Sequence, residues 1–208
     1  MRNLNVILSV IGAFSLCSNV AAQDQDPLPV LEALPPSELL GPNWSREISL
    51  LFDPASDPSE IVIASAKLPE TFRKERLEAV ENPKNRISGS CHAHYDFQGK
   101  TGNQRYEIQV NRYRSKKIVE ADFAKLLALG TKQYQKAEIY GIGEAAVIYS
   151  HSGGMTLWFR RETFYIWISP LAGSRRWEDD SALQHLAKAF DARLDEKLGD
   201  KTTATVPK

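Results

Sequence analysis

The stretch from Ala137 to Ser169, AEIYGIGEAAVIYSHSGGMTLWFRRETFYIWIS, limits the folds open to this chain more than any other. It reads as three consecutive β-strands joined by two tight turns. Ala145–Tyr149, Met155–Phe159 and Phe164–Ser169 are short apolar runs, punctuated by His151-Ser152-Gly153-Gly154 and Arg161-Glu162-Thr163. Runs of this kind, broken by Gly-containing or polar turns, are the sign of hairpins. The period is two, so alternate residues face opposite ways. Met155, Leu157 and Phe159 share a face, as do Phe164, Ile166 and Ile168, and this aliphatic side is expected to be core. The other side carries Trp158, Tyr165 and Trp167 and is a candidate partner surface.

The rest of the chain supplies elements to pair with this meander or pack on it. Ile87–Phe97 and Gln104–Arg114 alternate cleanly around Gly99-Lys100-Thr101-Gly102 and predict a long hairpin. Arg46–Phe52 predicts a further strand, and Ile61–Ala66 fits either a strand or the start of a helix. Helices are expected over Pro69–Glu81, Lys116–Leu129 and a last segment capped by Asp180 or Ser181. In that last helix Leu183, Leu186, Ala187, Phe190 and Leu194 form one apolar stripe. The small residues Gly89, Cys91 and Ala93 leave room for a helix to pack closely over the hairpin. The expected class is α+β: an antiparallel sheet, built from the hairpin and the meander, with helices mainly on one face. The domain is expected over 44–198, with a polar, disordered tail over 199–208.

The N-terminus predicts an address. Met1–Ala22 has a basic start at Arg2, a short apolar run and Val20-Ala21-Ala22 before the expected cleavage point, the pattern of a secretory signal peptide. Cys17 is preceded by Leu16 rather than a small residue, which disfavours a lipoprotein. The mature protein is therefore expected to be secreted or periplasmic, with no membrane span. The leader carries one base and no acid, so its removal takes the balance of 26 bases and 26 acids to a net charge of −1. That balance gives no electrostatic footprint for nucleic acid. Cys91 alone remains, so no internal disulfide is available and the fold must rest on its core. Residues 23–43 form a Pro-rich arm with one helical turn near Pro36–Leu40. Its leucines predict docking, and the Trp-bearing face is the expected place. Asn43-Trp44-Ser45 matches a glycosylation acceptor, of consequence only where the source glycosylates Asn.

Few motifs suggest chemistry. His92, His94 and Asp96 alternate on one strand and so share a face, as two imidazoles and a carboxylate would for a divalent metal such as zinc. The alternative is the polar side of an amphipathic strand, which Ser88 and Ser90 continue. Gly141-Ile142-Gly143-Glu144-Ala145-Ala146 fits G-x-G-x-x-A, but a strand follows it where a dinucleotide site needs a helix. It is expected to be a tight turn. Gly99-Lys100-Thr101 lacks the first glycine of a phosphate-binding loop, with His94 standing in that position. Cys91 and His92 are adjacent on a strand and face apart, so they cannot act as nucleophile and base for each other. No G-x-S-x-G elbow or S-x-x-K is present.

The run G-I-G-E-A-A, then L-W-F-R-R, then F-Y-I-W-I-S and a terminal helix resembles small domains of bacterial secreted proteins and lipoproteins over about residues 117–195. The resemblance implies an extracytoplasmic α+β domain and brings no catalytic residues. The expected function is that of an exported, non-enzymatic binding or envelope-associated domain. Its partner would be an envelope protein, a peptide or a glycan. The alternative is a metal-binding protein or metal-dependent enzyme using His92, His94 and Asp96.

Overall fold

The computed structural model describes residues 27–56, 69–99, 102–129, 135–139, 141–151, 154–171 and 181–203. The signal peptide and the Ile61–Ala66 segment lie outside them. Seven strands form one antiparallel sheet: β1 (Trp44–Phe52), β2 (Ile87–Gly99), β3 (Gly102–Tyr113), β4 (Gln135–Ile139), β5 (Ala145–His151), β6 (Gly154–Arg161) and β7 (Phe164–Pro170). Their spatial order is β1-β2-β3-β7-β6-β5-β4. Two meanders thus meet along a β3–β7 seam. The α+β class and the antiparallel sheet are as expected, and the meander has one more strand than its sequence predicts. β4, QKAEI, carries two apolar residues in five, too weak a pattern to signal a strand.

Among the described residues the α-helices are α1 (Ser37–Leu40), α2 (Glu70–Glu81), α3 (Lys116–Leu129) and α4 (Ser181–Thr203). They do not gather on one face. The stripe of α4 is wholly buried, from Leu183 through Leu194, against the aliphatic side of the sheet. Phe159, Ile166, Ile168, Ile108 and Tyr95 form the other half of that core. Arg161 of β6 clamps the helix through Asp191 and Asp195. On the opposite face, Phe123, Leu126 and Leu127 of α3 pack with Val147, Tyr149, Trp158 and Tyr165. The last helix runs on through Gly199 to Thr203, so the segment 199–203 is helical rather than a loose tail. Residues 204–208 lie outside the described ones.

The Pro-rich arm docks as expected, but on the other side of the sheet. Leu28, Val30, Ala33, Leu34 and Leu40 join the aliphatic core beside α4. The arm packs closely over Gly89 of β2 through a short 3-10 helix, Val30–Ala33. A Cβ placed on Gly89 would stand 2.7 Å from a Val30 methyl. Tyr95 donates its hydroxyl to the Pro35 carbonyl at 2.7 Å. Arg193 and Lys197 of α4 reach back to the carbonyl and carboxylate of Glu32.

What directs the arm there is a buried ion pair. Asp53 is 0% exposed and Arg112 is 4% exposed. Arg112 Nη2 donates to Asp53 Oδ1 at 2.8 Å, and its Nη1 donates to the Leu28 carbonyl at 2.8 Å. Asp53 in turn accepts from Val30 N at 2.5 Å, Ala55 N at 3.1 Å and Ser56 Oγ at 3.2 Å. Arg112 also binds Ser88 through Oγ and the carbonyl, where β2 shifts register between Ile87 and Gly89. That bulge turns Ile87 away from Gly89, Cys91 and Ala93, the residues whose face it is expected to share. Removing one member of a buried pair leaves an uncompensated charge, at a cost of about 3–5 kcal/mol. Arg112→Met should therefore lower the unfolding free energy by about that amount in urea titration. It should also open the Leu28–Leu34 segment to limited proteolysis while the rest of the domain stays resistant.

Candidate functional site

Two candidates that looked separate in sequence share one surface. Cross-strand pairing sets Leu50, His92, Gln109, Trp167, Trp158 and Val147 in a single row across six strands. His92 and the tryptophans therefore belong to the same face, opposite the arm. The α3 helix uses one end of this face. Trp158 packs edge-on to Tyr149 at 4.9 Å, and Tyr165 lies 6.2 Å from both Tyr113 and Phe123. Burial pushes the Tyr165 phenol well above its ordinary value. Two of the three residues of the candidate partner surface are thus engaged in packing. Trp167 is half-buried and stands between that cluster and the open end.

The open end is a groove of about 590 Å³ between α2 and strands β1–β3. One wall is apolar: Leu50 and Phe52 from β1, with Phe72 and Val80 from α2. Phe52 meets Phe72 edge-on at 6.3 Å. The floor is polar, made by Ser90, His92, Gln109 and Asn111. The exposed side chains of Arg76, Lys84 and Arg86 line the rim. Arg76 lies over the Phe72 ring at 5.0 Å, and Arg86 pairs with Asp122. Neither Arg76 nor Lys84 pairs with a carboxylate among the described residues. Arg114 holds the far wall in place: it donates to the carbonyls of Val80 at 2.6 Å and Asn82 at 2.8 Å, where α2 ends. A cation there also suits the negative end of the helix dipole.

The floor is a hydrogen-bonded network that leaves the Asn111 amide nitrogen over. Asn111, 6% exposed, accepts at Oδ1 from Ser90 Oγ at 2.8 Å and from Gln109 Nε2 at 3.5 Å. Both lone pairs of that oxygen are then used, and the amide nitrogen of Asn111 has no protein acceptor among the described residues. Nothing in the sequence marked Gln109 or Asn111. Their only signal is that they sit two apart on the polar side of β3, and that placement acquires meaning only when β2 is paired beside them.

The H-x-H-x-D strand holds its three residues on one face as its spacing requires. Each is drawn to a different neighbour. His92 Nε2 lies 3.0 Å from Glu107 Oε1. Asp96 faces Arg105 at 3.6 Å. The His92 and His94 rings meet edge-on at 6.0 Å, and His94 Nδ1 is buried without a hydrogen-bond partner. No group of three or more His, Cys, Asp or Glu side chains is gathered among the described residues as a metal would need.

The other motifs resolve into structure. Gly141-Ile142-Gly143 is a turn, with φ of +80° at Gly141 and +59° at Gly143. A Cβ on Gly143 would come within 2.4 Å of the Arg160 carbonyl oxygen, and Glu144 N donates to that same oxygen at 2.9 Å. The turn thus locks the entry to β5 against β6 and has no helix behind it. Cys91 is buried on the aliphatic face, where desolvation pushes its thiol up to about 12, so it carries no thiolate at neutral pH. No helix among the described residues is long and apolar enough to cross a membrane.

In comparisons with known proteins, no family model, curated protein or solved structure matches this chain.

His92 sets a pH dependence. Burial lowers its pKa below the ordinary value of 6.5, and Glu107 only partly pulls it back. The unfolded chain then binds the proton more readily, so stability should fall as pH drops from about 6.5 toward the lowered folded value. His92→Gln should flatten that part of a stability-against-pH curve measured by urea titration.

Proposed function

We propose that this chain is an exported, non-enzymatic binding domain whose ligand site is the groove between α2 and β1–β3. The observation that carries the reading is the pairing of an apolar wall with a polar floor that keeps an unused donor. Ligand sites combine these features, and the volume of about 590 Å³ is within the range of small-molecule pockets. The predicted signal peptide supports the address, and the resemblance to domains of secreted proteins agrees with it. In the groove Ser90 Oγ donates to Asn111 Oδ1 rather than to His92, His92 Nε2 faces Glu107, and Cys91 is buried on the other face of its strand.

N-phenyl-1-naphthylamine, a neutral apolar fluorophore, tests the site without presuming the ligand's charge. One saturable site is expected on the native protein. Ala79→Trp, which places an indole in the groove from α2, should weaken it at least about tenfold, or 1.4 kcal/mol. Equal binding by the plugged variant would place the probe elsewhere and end the reading.

The buried, unpartnered Nδ1 of His94 favours the alternative, a metal held by His92, His94 and Asp96. The engagement of Asp96 by Arg105 weighs against it. On the leading reading, elemental analysis of purified protein should find no stoichiometric metal. One equivalent that disappears in His94→Ala would turn the assignment to the metal.

A further inference from the structure

Every wall of the groove bears on what it can hold. The β1 and α2 wall offers aliphatic and aromatic carbon, which suits a hydrophobic body and gives no partner to a sugar's hydroxyls. The floor ends in a donor: the Asn111 amide nitrogen has no protein acceptor among the described residues, whereas the Asn111 amide oxygen is saturated by Ser90 and Gln109. An oxygen acceptor on the ligand would complete it. The rim adds charge of one sign. Arg76 and Lys84 are exposed, and neither pairs with a carboxylate among the described residues. The acids of α2 nearest in sequence, Glu75, Glu78 and Glu81, do not line the groove, and Glu78 pairs with Lys74. Asp122 takes Arg86 and Lys125. Glu107 lies outside the groove lining and is drawn to His92.

From this charge complementarity we infer that the groove takes a small amphipathic organic acid, with its carbon body against Phe52, Phe72 and Val80. Its carboxylate lies within reach of Arg76 and Lys84, and a ligand oxygen accepts from Asn111. The inference rests on the groove being a binding site, and it adds the chemical class of the occupant. Two cations favour an anion over a neutral analogue, and the buried amide favours any ligand that brings an acceptor. A cationic amphiphile meets the wrong charge at the rim and no free acceptor on the Asn111 amide.

Displacement of N-phenyl-1-naphthylamine by three twelve-carbon probes below their micellar concentrations decides the matter: laurate, 1-dodecanol and dodecyltrimethylammonium. Laurate should displace it at concentrations at least about fivefold lower than dodecanol, as expected for two partly screened charge contacts, with the ammonium weakest. Arg76→Gln/Lys84→Gln, both on the surface, should bring laurate to the level of dodecanol while leaving dodecanol unchanged. Asn111→Leu should weaken laurate and dodecanol together, and its binding of the neutral fluorophore reports that the groove is intact. Equal displacement by laurate and dodecanol on the native protein would overturn the acid and leave the groove standing. Failure of the fluorophore itself to bind would remove both. Vesicles of dilauroyl phosphatidylglycerol serve as the last arm. Sedimentation with the vesicles, with no response to monomeric laurate, would replace a free acid by a membrane surface and overturn the inference.

Discussion

The ion pair of Asp53 and Arg112 decides which side of the sheet is inside. An isolated guanidinium or carboxylate in that position would be costly to bury. Here each charge is matched by the other and by backbone groups of the arm, the β1 loop and the β2 bulge. The arm is thus drawn onto the aliphatic face, where its leucines complete the core around α4. Because the arm goes there, the opposite face between α2 and α3 is left partly open. The groove is a by-product of where one buried pair directs the N-terminus.

The sequence carried the strands and helices well, for a physical reason. Periods of two and 3.6 are printed directly into residue order, and the stripe from Leu183 to Leu194 or the alternation from Phe164 to Ser169 needs no tertiary information. β4 is the exception, since its residues are too polar to announce a strand that forms by pairing with β5. The side on which the arm docks was not legible. Apolar leucines say that a segment is buried, and only the Arg112–Asp53 contact, between residues 59 apart, says where. The site was half legible. His92 stood out because imidazoles are rare in this chain, while Gln109 and Asn111 looked like ordinary strand polar residues. Their meaning comes from register, which places them beside Ser90 and His92.

The common row of His92, Gln109, Trp167 and Trp158 also changes how the tryptophans are to be understood. Both are half-buried on one face, Trp158 against Tyr149 and α3, Trp167 beside the polar floor. A surface of this kind is neither bare patch nor closed core. The α3 helix packs on β5–β7 at one end of this face, and the floor residues lie on the neighbouring strands β2 and β3.

The contacts of Glu32 with Arg193 and Lys197 join the arm to α4, across 161 residues for the Arg193 bond. Closing a loop over such a span carries an entropic cost that grows only slowly with its length. The arm is held on two sides, by the Asp53–Arg112 pair and by α4. The arm and α4 therefore act as two halves of a clasp over the aliphatic face of the sheet, each holding the other.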